Sequence, residues 1–428
     1  MFVRLAISLL LISLGTCNEL DKSFQTRDRN NLKDNQESLN ENELWITMSS
    51  DAAKRVSESK VSSRMISSND GGPTILKVNE SSLPLISQMI HQNERGFGDF
   101  AVHLSSEEAI RFIERRKLGD KSVFVTPEID NQRVVTRLQS LIGPQNMMEF
   151  ISMLAKGFKN RDFKSYYGVE ASKWIKRVWT HICLSRYNDI VVDGIDHTWF
   201  PQQSIVVTIK GSDEQSTGGN AKNGRVIIGA HLDSINQKHW GSQDNAIAPG
   251  VDDNGSGLTV LTEVLQVIVQ SGYRPKKTIM IMGFAGEEQG LLGSNQIASD
   301  YKKNGIKVEG MLNLDMVGYK GRGKDIYISA DYSNQDQADF LKNLISKYTP
   351  EITYGDMRCG DPCSDHVSWW SNDFPATMAT EAKARDDPET FNPNYHSAED
   401  LEVDAQKMMK YAALAVAYAA ELAKGEID

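Results

Sequence analysis

No cluster of Lys and Arg stands out in this chain. Its 47 Lys and Arg are outnumbered by 57 Asp and Glu, for a net charge of −10 and a pI near 5.4. Phosphate binding needs a basic surface, so a nucleic-acid partner is excluded from the expectations. Long apolar runs are scarce too. The one near the start, Leu5 to Leu14, is about half the length of a membrane span, and no later run reaches that length without charges, so no stable membrane partner is expected. Cysteine is rare, with four in 428 residues, which rules out a small disulfide-built scaffold. Two hydrolase signatures are absent as well: there is no Gly-x-Ser-x-Gly elbow and no His-Glu-x-x-His helix.

What is present begins with an export pattern. Arg4 precedes the apolar run, and the small residues Gly15 and Thr16 follow it, so residues 1–17 read as a signal peptide and the chain as secreted, extracellular or periplasmic. Leu14-Gly15-Thr16-Cys17 is also a loose match to a lipoprotein cleavage site, but Thr16 fits poorly before the cysteine, which leaves lipid anchoring the weaker alternative. From Asn18 to about Asn69 the sequence is polar with scarcely any apolar period, as in a flexible leader. Runs such as Leu83 to Met89 and Glu107 to Glu114 then suggest a small folded segment. Residues 18–125 are therefore expected to form a leader and pro-segment, and residues 126–428 the main domain.

After Thr126-Pro127 amphipathic helices appear at Arg133 to Ile142 and at Ala171 to Ile182, the latter with Trp174, Val178 and Ile182 on one face. Strands are expected at Ser204 to Ile209, Arg225 to Ala230, Thr278 to Phe284, Val308 to Leu314 and Asp325 to Ser329. Helices fill the gaps, notably Gly257 to Gln270 and Ala405 to Ala423. This alternation predicts an α/β fold, a mixed but mostly parallel central sheet with helices on both faces. Chemistry in such sheets collects at the carboxyl ends of the strands.

Polar residues stand at those ends. His231-Leu232-Asp233 follows Val226-Ile227-Ile228, and residues two apart on an extended segment point the same way, so His231 can ligate a metal while Asp233 supports it. Asp252-Asp253 sits in a Gly/Pro-rich loop ahead of an apolar helix, where a carboxylate either favours the helix N-terminus or reaches inward between cations. Glu287-Glu288 ends the run from Ile279 to Gly286, which delivers one carboxylate to a metal and leaves its neighbour as a general base. Asp315 follows Met311-Leu312-Asn313-Leu314, an apolar setting that is costly for an acid without a partner. His396 lies in the loop Asn392 to Ser397 before the last helix. Each of these has a bland reading by itself, as a turn, a solvated acid or a structural histidine. The ordered set, each member at a strand end or an adjoining loop, is far more specific.

On these residues the chain resembles the M28 metallopeptidases, most closely secreted bacterial leucyl aminopeptidases, over about Thr126 to Lys424. The stretches Gly229 to Ser234, Ala248 to Gly257, Gly286 to Ser294 and Cys359 to Trp369 match best. The resemblance implies two zinc ions per chain, His231 and Asp315 on one, Glu288 and His396 on the other, and Asp252 bridging. It implies Glu287 as general base, Asp233 as the partner of His231, a cis peptide between Asp252 and Asp253, and a removable pro-segment. The implied activity is release of single residues from peptides with a free N-terminus, by a water activated between the metals.

In an oxidising compartment Cys359 and Cys363 are the natural disulfide, since a five-residue loop brings their Cα atoms into range, and the resemblance implies the same pair. The rival reading, half of a structural zinc site, lacks a second Cys/His pair nearby. Cys183 is expected to stay a buried free thiol. Met316, Met378, Tyr395 and Asp361 are the expected substrate contacts. Asp361 stands between the two cysteines where leucine-preferring relatives carry an aromatic residue, Thr380 and Ala384 replace bulky aromatics, and Arg385 to Glu389 adds acids. A preference for N-terminal Lys or Arg over Leu follows. Two alternatives share the expected fold: a single-zinc acyltransferase that cyclises N-terminal glutamine, and a metal-free binding ectodomain.

Overall fold

The computed structural model describes residues 43–67, 73–91, 100–213, 224–239, 243–383, 387 and 389–427. The signal peptide, the leader up to residue 42, Ala384, and Arg385, Asp386 and Pro388 of the acidic stretch lie outside them.

The N-terminal unit holds β1 (Glu43–Met48), α1 (Ser50–Glu58), β2 (Ser63–Ser67), β3 (Thr74–Asn79), α2 (Leu83–His91), β4 (Phe100–His103) and α3 (Ser106–Leu118). Its four strands form an antiparallel sheet in the order β2-β3-β1-β4. The expectation of a flexible leader up to Asn69 is corrected here, because residues 43–67 are part of this sheet and its helices. Leu44, Ile46 and Met48 alternate inward, and Ala52, Ala53 and Val56 recur on one face of α1. Six residues of alternation are a short signal, easily lost beside a polar run. The runs Leu83 to Met89 and Glu107 to Glu114 lie in helices, α2 and α3. Ser105 caps α3 by accepting from the Glu108 N–H at 3.2 Å, and Glu107 and Glu108 lie in its first turn, where the helix dipole favours acids.

The main domain continues with α4 (Gln132–Gln139), α5 (Pro144–Gly157), α6 (Tyr166–Ile182), β5 (Ile190–Ile195), β6 (Ser204–Ile209), β7 (Arg225–His231), α7 (Gly255–Ser271), β8 (Ile279–Phe284), α8 (Leu292–Lys303), β9 (Val308–Leu314), β10 (Ile326–Ser329), α9 (Gln335–Tyr348), β11 (Tyr354–Met357), α10 (His366–Ser371), β12 (Ala376–Thr380) and α11 (Ala405–Ala423). The eight strands lie in the order β11-β10-β12-β9-β7-β8-β6-β5. The run β12-β9-β7-β8 is parallel throughout, while β6, β5 and the β10/β12 pair are antiparallel. The five expected strands fall within a residue or two of these bounds. On α6 the buried face is Ala171, Trp174, Ile175 and Trp179, and Val178 and Ile182 flank it half-buried.

β7, β8 and β9 are adjacent, parallel and covered on both faces, so their central residues are mostly apolar. The cover on one side is α7 packed against α5 and α11. Gly229 is needed in β7, because a Cβ there would come within 2.3 Å of the Phe284 ring on β8. Because the three strands run in one direction, the polar residues that follow them emerge side by side at one sheet edge.

The two units share their apolar interior. Phe112 of α3 stacks on Tyr332 and meets Trp370 edge-on, with centroids 6.1 and 6.4 Å apart. The Arg115 guanidinium lies 4.7 Å from the Trp370 ring and pairs with both Asp120 and Asp373. The Val102 N–H of β4 donates to the Gly290 carbonyl at 3.0 Å, directly after the Glu287-Glu288 turn.

Candidate metal centre

His231 is the last residue of β7, Glu287 and Glu288 open the turn after β8, and Asp315 follows β9. Gly286, with φ of +68°, lets the chain leave β8 and turn at once into the acidic pair. Asp253 enters from the loop before α7, whose N-terminus is capped by Asn254 on the Gly257 N–H at 3.0 Å. His396 arrives from the loop ahead of α11, with its backbone in the left-handed region at φ +52°.

These residues form two overlapping donor sets. His231 Nε2 lies 3.1 Å from Asp253 Oδ1 and 3.3 Å from Asp315 Oδ1. His396 Nε2 lies 2.8 Å from Asp253 Oδ2 and 2.8 Å from Glu288 Oε2. Each set brings its ligand atoms within 4.8 Å of one another, as does a third set of His231, Glu287 and Glu288. Asp253 belongs to both main sets and offers a different oxygen to each.

The expected bridging role of Asp252 is therefore corrected. Adjacent residues of an extended loop point opposite ways, and Asp252 faces away from the histidines. Its Oδ1 accepts from the Gly318 N–H at 3.0 Å and its Oδ2 from the Asn392 amide at 3.1 Å. Burial raises the Asp252 carboxyl to about 6, with Glu381 and Asn392 pulling the other way. The cis peptide bond is likewise one residue later than expected, at Asp253-Asn254.

Four carboxylates, those of Asp253, Glu287, Glu288 and Asp315, face two imidazoles in a pocket where each side chain is almost fully buried. Such a concentration of acids is expensive unless cations enter it. Burial pushes Glu288 up to about 7 despite the opposing pull of His396, and burial likewise drives Glu287 well above the carboxylate range. Burial acts against the charge on Asp253, yet the two histidines outweigh it and hold this carboxyl below its ordinary range. Glu288 Oε1 and Asp315 Oδ1 are buried with no hydrogen-bond partner, an arrangement that suits oxygens reserved for a cation. Neutral imidazole with carboxylate oxygen is a donor set that suits zinc.

Supporting contacts hold these ligands. Asp233, expected behind His231, lies 3.6 Å from its Nδ1, but the nearer contact of that nitrogen is the Asp233 backbone carbonyl at 3.2 Å. The Asp233 carboxylate accepts from the backbone N–H groups of Glu287 and Glu288. Ser364 donates to Asp315 Oδ2 at 2.5 Å. Arg161, buried, donates to the Leu232 and Gly250 carbonyls at 2.8 and 2.9 Å and ties the β7 end to the loop that carries Asp253. Asp400 accepts from the Asp252 and Asp253 N–H groups at 3.1 and 3.0 Å. None of Ser364, Arg161 and Asp400 was predicted from the sequence, where only the match of the Cys359 to Trp369 stretch pointed toward Ser364.

Beside this centre an apolar cluster gathers Met316, Met378, Cys359, Cys363, Phe391 and Tyr395, and so unites three of the four expected substrate contacts. Cys359 and Cys363 stand at disulfide distance, with Cα atoms 5.9 Å apart. Cys183 is buried and unpaired, its thiol pushed up to about 12 by burial. Asp361 is half-buried and acts electrostatically on Tyr332, whose ring is covered by Arg116 of the N-terminal unit. Thr380 donates to the Met316 carbonyl at 3.3 Å.

Comparison with known proteins agrees with this geometry. The model of peptidase family M28 matches residues 204–419. A probable leucine aminopeptidase of Trichophyton verrucosum is 33% identical over 336 residues, which cover 77% of this chain and 85% of that one. The crystal structure of the LapA aminopeptidase of Legionella pneumophila superposes with a TM-score of 0.73 at 24% identity, over 91% of this chain and 100% of that one. That share is larger than residues 126–428 could supply alone, so it reaches into the N-terminal unit. A glutaminyl cyclase of Porphyromonas gingivalis has the same fold, with a TM-score of 0.52 at 18% identity over 66% of this chain and 98% of that one, so fold alone does not decide the reaction. The match over half of the chain and the identity to curated relatives do decide the family: the chain belongs to peptidase family M28, a family of metallopeptidases.

Proposed function

We propose that this chain is an aminopeptidase that binds two zinc ions and removes single residues from peptides with a free N-terminus. The observation that carries the reading is Asp253, whose two oxygens face two histidine-containing donor sets. His231 and Asp315 would hold one ion, Glu288 and His396 the other, with Asp253 between them. When bound, the pair supplies charge that polarises the scissile carbonyl and acidifies a water. Glu287 lies beside the ligands without being needed by either set, and it takes the proton from the attacking water and returns it to the leaving amine. A free position on one ion would receive the substrate's N-terminus as a neutral amine.

Residues 1–17 serve as an export signal and residues 18–125 as a pro-segment removed on maturation. In support of the latter, α2 packs against the Glu287-Glu288 turn and would crowd the approach to it. For the first side chain, Asp361 argues for Lys or Arg. The apolar cluster around Met316 and Met378 favours a second reading, Leu, and a basic residue can also lay its apolar stem there. Catalytic efficiency on Lys, Arg and Leu amides, in wild type and Asp361→Tyr, separates the two.

The test of the main reading is metal analysis together with hydrolysis of aminoacyl amides bearing free or blocked amino groups. Two zinc ions per chain and activity only on free amines are expected. One ion with cyclisation of N-terminal glutamine would transfer the chain to the cyclase reading, and no ion to the binding-ectodomain reading.

A further inference from the structure

The two donor sets are supported differently. His231 is held by the Asp233 backbone carbonyl and faces the Asp233 carboxylate, and Asp315 accepts from Ser364. These contacts lie within the edge of the main sheet and its neighbouring loops. His396 has another kind of support. The Gln237 carboxamide lies in direct contact with its Nδ1, and the Gln237 backbone N–H donates to its carbonyl at 2.9 Å. The second contact steadies a residue whose φ of +52° is unfavourable for a side chain other than glycine.

We propose that Gln237 is the positioning residue for His396, so that cation affinity in the Asp253/Glu288/His396 set depends selectively on the side chain at 237. The inference rests on the two-ion reading above. With Nε2 directed at Asp253 and Glu288, a neutral His396 ring carries its proton on Nδ1. The carboxamide then presents its oxygen to that N–H; a half-turn of the amide exchanges oxygen and nitrogen without moving the chain. The hydrogen bond fixes both the tautomer and the ring plane that aim Nε2 at the cation. A carboxamide does this without adding charge to a set that already contains two carboxylates.

The loop that carries Gln237 is itself anchored. Asn236 donates to the Ile247 carbonyl at 2.7 Å, and the His239 carbonyl accepts from Gln88 of α2 at 3.1 Å. Ser87, one residue earlier on α2, donates to the Glu288 carbonyl at 2.8 Å. One helix of the N-terminal unit thus braces both the loop behind His396 and the backbone of Glu288.

The test is zinc titration of the metal-free full-length chain against a chromophoric chelator, in wild type, Gln237→Ala and Gln237→Glu. Gln237→Ala is expected to weaken one of the two binding steps about 10- to 100-fold and leave the other unchanged. Gln237→Glu keeps an acceptor for the Nδ1 proton and should restore the weakened step. If Ala loosens the loop, seen as a lower Tm of the metal-free chain, Gln237→Met keeps the bulk, removes only the acceptor, and should give the same split. Two unchanged steps, or two equally weakened ones, would overturn the assignment. A wild type that binds a single ion sinks the two-ion reading instead, and the affinity of that ion in Gln237→Ala, unchanged or weakened, still decides the role of Gln237.

Discussion

Asp233 accepts the Glu287 backbone N–H on Oδ1 at 2.9 Å, and with its other oxygen it takes the Glu288 N–H at 3.1 Å. One buried carboxylate from the end of β7 therefore sets the turn that carries both acids after β8. Replacing it by Ala leaves two buried N–H groups unpaired, at a cost of roughly 1–3 kcal/mol each before relaxation. Asp233→Ala should lower both Tm and zinc affinity, while Asp233→Asn, which keeps one acceptor, should retain the fold with an intermediate loss of activity. Thermal melts and zinc titration measure this; an Ala variant equal to wild type in both would remove Asp233 from the support of the turn.

Glu287 is placed as base rather than ligand, so Glu287→Ala should keep zinc near the wild-type level and lower kcat by roughly 10²–10⁴-fold or more. Single-turnover hydrolysis paired with metal analysis checks it. Near-normal turnover would end the base assignment.

Asp253 and its neighbour Asp252 offer a sharp comparison, because they differ by one position and face opposite ways. Asp253→Ala should lose metal and activity together. Asp252→Ala should keep the metal ligands and act through the Gly318 and Asn392 contacts, with lower stability and a milder loss of zinc. Equal metal loss in both variants would blur the distinction between them.

Glu263 lies away from the centre, buried in α7, with its Oε1 accepting from the Gly143 N–H at 2.7 Å, and burial raises its carboxyl to about 7. The folded chain then holds this proton more tightly than the unfolded chain does. The stability it contributes is present below the unfolded value near 4.5 and is lost as pH rises through about 7. Glu263→Gln should therefore raise stability at pH 8 by about 1–3 kcal/mol and change it little at pH 4. A gain of the same size at both pH values would show that the charge at 263 is not responsible.

Much of this was legible along the chain. The buried runs of β7, β8 and β9 are apolar because both faces of those strands are covered, and each ends abruptly in a polar residue, so His231, Glu287, Glu288 and Asp315 stand out in one dimension. Cys359 and Cys363 are close in sequence and need no distant information. The N-terminal sheet was only partly legible, since six alternating residues at Glu43–Met48 offer little signal beside a polar run.

Residue periodicity and strand ends are local properties, so the family, the sheet edge and the chemical types of the ligands can be read from the order of amino acids alone. Which of Asp252 and Asp253 faces inward emerges only once the chain is folded. Side-chain direction in a tight loop depends on distant partners, here Gly318, Asn392 and Asp400, that claim one carboxylate and the loop's N–H groups. The same holds for Gln237 and His396, which are 159 positions apart and meet only because two loops converge over one end of the sheet.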